Sequence, residues 1–214
     1  MKKLIVAVLM VIAFVGVAGA DVILQYTFTG SVNTPSTEHA NITGTSFGVS
    51  PQTGFAYLTT AGAPNGPGVG TTGWNQGTPT AYWSFGLTFD AGYEFADSPD
   101  SLLFDFEYRA TGTGPTSWQL DYNSGSGWNT LASGALTTDS AWHSISGADI
   151  SGLDGVGGTV DFRLYGYNAP STGGSWIVDT VTLNGSVYVI PEPGTLVMMG
   201  LGLIGIMFAR RMRK

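Results

Sequence analysis

The feature that most constrains this fold is a period-two alternation of apolar and polar residues. It recurs in residues 82–89, 102–109, 117–122 and 159–167, with Trp83, Phe85, Leu87 and Phe89 as the apolar set of the first segment. Alternation of this kind gives each strand one buried face and one wet face. Gly- and Asn-rich turns separate the segments, and no segment has a helical period. The sequence therefore predicts an all-β fold, an antiparallel β-sandwich or jelly roll.

The predicted sandwich occupies residues 21–190 and divides into a loop-rich front and a regular remainder. The front, residues 21–80, is dominated by Gly, Thr, Ser, Asn and Pro after a β-rich start at Asp21–Thr29. A short strand is also expected at Ala56–Thr59, and the regular strands are expected in residues 81–187.

The first twenty residues are typical of a secretory signal peptide. Two lysines follow Met1, an apolar stretch runs from Leu4 to Val17, and Ala18 and Ala20 form a small-residue cleavage site. We expect the Sec translocon to export the chain and signal peptidase to cut before Asp21. A retained N-terminal anchor is the alternative.

The C-terminal residues 191–214 combine three features in a fixed order. Pro191, Glu192 and Pro193 come first, an uncharged apolar run fills residues 195–209, and a basic tail ends the chain with Arg210, Arg211, Arg213 and Lys214. A helix over the run would be roughly 22 Å long. This is short of the roughly 30 Å hydrocarbon core, but snorkelling basic side chains can extend it. The pattern predicts a single membrane helix with a cytoplasmic tail, because only basic residues follow the run and a buried core helix would need more protein around it.

This order of tripeptide, apolar helix and arginine-rich end resembles the PEP-CTERM sorting signal of exported bacterial proteins. The resemblance implies an exosortase, an integral membrane enzyme, as the partner that recognises and processes the chain. Residues 101–187 also resemble the β-sandwich ectodomain that often precedes such signals and is itself similar to carbohydrate-binding jelly rolls. The motifs behind this second likeness are 104–109, 114–118, 140–144, 162–167 and 176–181.

The charge of the predicted exported domain excludes some partners. Between residues 21 and 190 two arginines face fourteen carboxylates, a formal charge of −12, whereas the whole chain carries −7. So acidic a surface argues against nucleic acid as a partner. The chain also has no cysteine, so the core, with or without a metal, must hold the fold together.

Asp179 is the candidate metal ligand. It interrupts an apolar set in the last long strand, where Ile177, Val181 and Leu183 are predicted to share its inward face. A buried carboxylate needs a cation or several donors. The alternatives are a structural Ca²⁺, or a carboxylate that pairs with Arg163 or caps loop N–H groups. No other cofactor is required by the sequence.

A polar sheet face is the candidate glycan site. If the alternating strands are neighbours, one face holds both arginines and two tyrosines, and its predicted binding residues are Arg109, Gln119, Arg163, Tyr165 and Tyr167. Ordinary cross-strand pairing of arginines with carboxylates is the alternative. Trp118, Trp142 and Trp176 are expected in the core.

Catalysis has little support in the sequence, and no catalytic residue is assigned. Asp105 and Glu107 share one strand face, as acid pairs of some sandwich glycosidases do. His39 and His143 lack metal-ligand spacing, and no nucleophile elbow is present. We expect a non-enzymatic envelope or matrix protein that associates with exopolysaccharide; the alternative is an anchored protein that binds or hydrolyses glycans.

Overall fold

The computed structural model describes residues 21–50, 55–58, 63–74, 77–96 and 102–190. These residues form fifteen strands and one short 3-10 turn, Ser151–Leu153. The strands are β1 Asp21–Tyr26, β2 Thr37–Glu38, β3 Ile42–Gly44, β4 Gly48–Ser50, β5 Ala56–Leu58, β6 Gly68–Thr71, β7 Tyr82–Phe89, β8 Tyr93–Phe95, β9 Leu103–Ala110, β10 Ser117–Asn123, β11 Asn129–Ala135, β12 Trp142–Asp149, β13 Thr159–Tyr167, β14 Trp176–Gly185 and β15 Val187–Val189.

Two antiparallel sheets pack face to face. The seven-stranded sheet has the order β12-β9-β14-β1-β2, with β6 on β14 and β5 on β6. The six-stranded sheet has the order β11-β10-β13-β7-β3, with β4 also on β7. A separate two-stranded ribbon joins β15 to β8. The prediction of an antiparallel β-sandwich is thereby confirmed.

The core between the sheets follows the alternation of the sequence. In β9, Phe104, Phe106 and Tyr108 are buried while the residues between them are only partly covered. Trp176 lies in the centre of the core, with its ring 4.8 Å from that of Trp74. The core residues of the described ranges span Ile23 to Leu183.

The front of the domain is organised by short strands that attach to long ones. The sequence predicted one strand over Asp21–Thr29, and β1 ends at Tyr26 because Phe28 has a left-handed φ of 53° that stops the extended run. Strands β2 to β6 then supply edges to β1, β7 and β14. Such two- to four-residue strands give too little alternation to be seen in a Gly- and Ser-rich sequence.

One β-bulge changes the face on which the Asp179 side chain lies. Asp179 pairs with Glu107, but the next registered pair is Thr182 with Asp105, so β14 holds one extra residue there. Thr180 occupies the bulge with a φ of 44°. Before the bulge the odd-numbered residues share the outer face of the sheet with Glu107; after it, Val181 and Leu183 belong to the core. The prediction that Ile177, Asp179, Val181 and Leu183 share a face is therefore wrong.

The predicted signal peptide, membrane helix and basic tail lie outside the described residues. Within the ranges given above, no helix is long and apolar enough to cross a membrane.

Candidate functional site

The outer face of the six-stranded sheet collects four of the five residues predicted for a glycan site. Strand β10 pairs with β13 so that Gln119 lies opposite Tyr165. Arg163 and Tyr167 lie two residues to either side of Tyr165 on β13, and side chains two apart on a strand share a face. The ring of Tyr82, from the neighbouring strand β7, meets that of Tyr165 edge-on at 5.1 Å. On this face Tyr82, Gln119, Arg163 and Tyr167 are partly exposed, whereas Tyr165 is buried, with 7% of its surface exposed.

Arg163 is held between two aromatic rings. Its guanidinium carbon is 4.4 Å from the ring centre of Tyr82 and 3.7 Å from that of Trp128. It forms no salt bridge within the described ranges, and one N–H reaches the Tyr165 hydroxyl at 3.4 Å. Of the five N–H donors of a guanidinium, most are therefore left for a ligand. Stacking on aromatic faces fixes the plane of the cation and keeps those donors in place.

A cleft of about 320 Å³ opens beside the stacked arginine. Hydroxyl and carboxylate groups surround it, contributed by Thr45, Ser46, Ser50, Ser84 and Asp161. Trp128 forms part of the wall and remains 37% exposed. Among the exposed aromatic side chains of the described residues it is the largest in size. The cleft thus combines a flat apolar ring with donors and acceptors, the arrangement that orients a polar ligand.

Arg109 is separated from this face, which corrects the prediction that both arginines share one surface. Strand β9 lies in the seven-stranded sheet, where Arg109 pairs with Ile177 and Trp142. Its Nε donates a 2.6 Å hydrogen bond to the Ser140 carbonyl. The prediction assumed that the alternating strands are neighbours, but β9 and β13 belong to opposite sheets.

Asp179 is fully buried and is held by backbone donors. Its Oδ2 accepts a hydrogen bond from the Asn65 N–H at 3.3 Å, and its Oδ1 accepts one from the Thr180 N–H at 2.8 Å. Burial raises the pKa of Asp179, and these hydrogen bonds oppose the rise. Arg163 is on the other sheet, so in the described structure Asp179 is held by the Asn65 N–H from a loop and by the N–H and, at 3.5 Å, the hydroxyl of Thr180 in β14. No group of three His, Cys, Asp or Glu residues that could hold a metal occurs in the described ranges. Calcium at Asp179 stays a prediction.

Glu107 lies opposite Asp179 on the same outer face. Its Oε2 is buried without a hydrogen-bond partner among the described residues. Burial raises the pKa of Glu107, and the neighbouring Asp179 carboxylate raises it further against an opposing hydrogen bond with Thr180. The two carboxyls therefore favour protonated forms at a pH where isolated carboxyls are ionised.

The acid pair considered for catalysis lies along a polar groove of about 350 Å³ on this seven-stranded sheet. Both oxygens of Asp105 already accept hydrogen bonds, Oδ1 from the Gly147 N–H and Oδ2 from the Asn184 Nδ2 at 2.6 Å. Asp105 thus links Gly147 in β12 to Asn184 in β14. These bonds leave Asp105 poorly placed to act as a base or a nucleophile.

The two histidines are far apart in role and position. His143 Nε2 lies 2.8 Å from Asp139 Oδ1, and this hydrogen bond is the first reason that the pKa of Asp139 lies below its usual value. His39 Nδ1 accepts a hydrogen bond from the Asn41 N–H at 3.3 Å. Each contact ties down a local turn.

Sequence reasoning missed Tyr82 and Trp128. Tyr82 could have been found, because Trp83 points to the core and the residue before it must point outward. Trp128 follows Gly127 in the β10–β11 turn, outside any alternation, so no periodic signal marks it. Of the three tryptophans expected in the core, Trp118 and Trp176 are buried and Trp142 is half-buried.

Comparison with family models finds a PEP-CTERM protein-sorting motif at residues 189–214. The chain is therefore a β-sandwich protein with a C-terminal sorting segment of the PEP-CTERM type, which confirms the resemblance noted in the sequence. This segment marks it as an exported protein targeted to an exosortase.

Solved structures of similar shape include two modules that match this chain over nearly their whole length. The K3 cleaved adhesin domain of Lys-gingipain from Porphyromonas gingivalis has 13% identity and a TM-score of 0.42, covering 77% of this chain and 100% of that one. The family 11 carbohydrate-binding module of a Clostridium thermocellum cellulosomal cellulase has 17% identity and a TM-score of 0.40, covering 79% and 96%. No curated protein matches the chain.

Proposed function

We propose that this protein is a non-enzymatic component of the cell envelope or extracellular matrix that binds glycan, such as exopolysaccharide, on the outer face of its six-stranded sheet. The observation that carries the proposal is the stack of Trp128, Arg163 and Tyr82 beside a hydroxyl-lined cleft. In the precursor, the C-terminal helix anchors the domain at the membrane until an exosortase cleaves the chain near Pro191–Pro193.

The chemistry of the cleft suits a sugar better than an ion or an apolar ligand. A pyranose presents an apolar face of C–H groups, which an exposed ring such as Trp128 can cover. Its hydroxyls both donate and accept, so they match the mixed set of Arg163, Asp161 and serine groups around the cleft. The strongly acidic domain would repel a polyanion elsewhere on its surface. A neutral or weakly charged polysaccharide is therefore the expected ligand.

The test measures binding of the exported domain, residues 21–190, to exopolysaccharide isolated from the host. We expect Trp128→Ala to lower the affinity about tenfold or more, because one stacking contact of this kind contributes on the order of 1–3 kcal/mol by analogy with base stacking on aromatic side chains. Tyr188→Ala is the matched control, since Tyr188 is also an exposed aromatic residue but lies on the β8–β15 ribbon. Equal loss in both variants, or no loss in either, would argue against a site at Trp128.

Hydrolysis of glycans is the second candidate, and the raised pKa of Glu107 beside a groove favours it. A protonated carboxyl of this kind can act as a general acid, but a glycosidase needs a second, ionised carboxylate within reach. Asp105 is the nearest candidate for this second carboxylate on the strand, and its oxygens accept hydrogen bonds from Gly147 and Asn184. If the wild-type domain releases reducing ends from glycan and Glu107→Gln abolishes this release, the result would favour an enzyme over a binding protein.

A further inference from the structure

Strand β15 is an apolar edge strand that runs directly into the sorting segment. Within the described ranges it pairs only with β8. Val189 is both its last residue and the first residue of the sorting motif. Tyr188, Val189 and Ile190 are 50%, 54% and 43% exposed. Exposed apolar edge strands recruit other strands and are usually blunted by charge or covered, so an uncovered one here calls for a partner.

The backbone groups on the free edge of β15 can be assigned from the ladder. The Ile190 N–H donates to the Gly92 carbonyl at 2.8 Å. Hydrogen-bonded and non-hydrogen-bonded pairs alternate in an antiparallel ladder, so the N–H and C=O groups of Val187 and Val189 point away from β8. No hydrogen bond to these groups occurs among the described residues. The free edge therefore offers two donors and two acceptors, spaced about 7 Å apart.

Within the tripeptide Pro191–Pro193, only Glu192 has a backbone N–H. Pro191 and Pro193 have no backbone N–H. The N–H of Ile190 is bonded to Gly92. A partner that pairs with the extended backbone immediately ahead of Pro191 would therefore take its hydrogen bonds from Val189 and then from Val187.

We propose that the free edge of β15 is the docking strand for the membrane-embedded processing peptidase, which pairs a strand of its own with Val187 and Val189. This inference rests on the proposed sorting function. Strand addition would supply main-chain hydrogen bonds, and the exposed side chains of Tyr188 and Val189 would add contacts on the two sides of the strand. The folded domain thus presents part of the recognition surface, and the peptidase binds β15 while β15 remains paired with β8.

The test compares two substitutions at one position in the full-length chain, expressed in a host that carries the exosortase. Val189→Pro removes the outward N–H, and proline is tolerated on an edge strand when its missing N–H faces away from the ladder. Val189→Thr is the control, because it keeps the N–H and a β-branched side chain. By pulse-chase, we expect conversion of the precursor to slow about tenfold or more for Val189→Pro and to stay within about twofold of wild type for Val189→Thr.

Conversion of Val189→Pro at the wild-type rate would overturn the docking proposal while leaving the sorting function intact. A wild-type precursor that persists equally with and without the exosortase would instead remove the sorting function on which the proposal rests.

If the Val189→Pro variant unfolds, its precursor will be sensitive to protease, and crosslinking then provides the test. A photo-crosslinking amino acid in place of Tyr188 should then form an adduct with the exosortase in an otherwise wild-type chain. Adducts only with lipid or with a second copy of the chain would assign the edge to those occupants and overturn the proposal.

Discussion

At the scale of single residues, the carboxyl of Glu107 stabilises the fold best when it is protonated. Burial raises its pKa in the folded protein above the value in the unfolded chain, which is about 4.3. Between these two pKa values the folded state holds a proton that the unfolded state has lost. Stability therefore falls as the pH rises through this window and stays lower above it.

Glu107→Gln removes this dependence, because the amide stays neutral at every pH. We expect the variant to gain up to about 1 kcal/mol, or about 2–4 °C in Tm, at pH 8 and to gain nothing at pH 4. Thermal unfolding of residues 21–190 at both pH values is the measurement. A gain for Glu107→Gln that is equal at both pH values would show that charge is not its cause.

At the scale of the element, the bulge in β14 decides which side chains face the core. Thr180 is the extra residue, and it adopts a left-handed conformation that is unfavourable for β-branched residues by about 1–2 kcal/mol. Its hydroxyl offsets part of that strain by accepting a 2.6 Å hydrogen bond from Asn65 Nδ2. The bulge also lets Asp179 bind the Asn65 N–H and leaves Val181 in the core.

Two substitutions at Thr180 isolate the backbone strain, since both remove the hydroxyl. In an ordinary strand the glycine variant would be the less stable by about 0.5–1 kcal/mol. Here we expect Thr180→Gly to be more stable than Thr180→Val by about 1 kcal/mol, because glycine adopts the left-handed conformation freely. Denaturant unfolding of the two variants measures the difference. The ordinary order, valine above glycine, would mean that the bulge does not hold Thr180 at a positive φ.

At the scale of the whole molecule, charge is strongly divided along the chain. The segment between the predicted cleavage points carries a formal charge of −12, and four of the six remaining cations lie beyond the apolar run at residues 210–214. By the positive-inside rule we expect the basic end to stay on the cytoplasmic side and the acidic domain to cross. This division matches a precursor that is cleaved at both ends of the acidic domain.

Intact mass spectrometry tests that order of events. From a host with the exosortase, we expect the mass of a chain that has lost residues 1–20 and the residues beyond the Pro191–Pro193 motif. From a host without the enzyme, the chain should lose only residues 1–20. A C-terminus at Lys214 in both hosts would identify an anchored protein that is never processed.

The sequence by itself determined the fold class, the inward residues of the long strands and the sorting segment. Each of these is encoded locally. The alternation in β9 and β13 requires only that one face be buried, and the sorting segment is a contiguous run of residues. Tyr165 and Gln119 were correctly placed on one face because their strands are neighbours in one sheet.

Only the tertiary structure decided which strands share a sheet. A period of two does not encode the partner of a strand, so Arg109 and Arg163 were predicted together and lie on opposite sheets. One inserted residue at Thr180 reverses the phase of β14, and no local signal distinguishes it from its neighbours. Trp128 reaches the outer face of the six-stranded sheet because the β10–β11 turn places its ring on Arg163. These features depend on contacts between residues distant in sequence, and such contacts are fixed only when the two sheets pack.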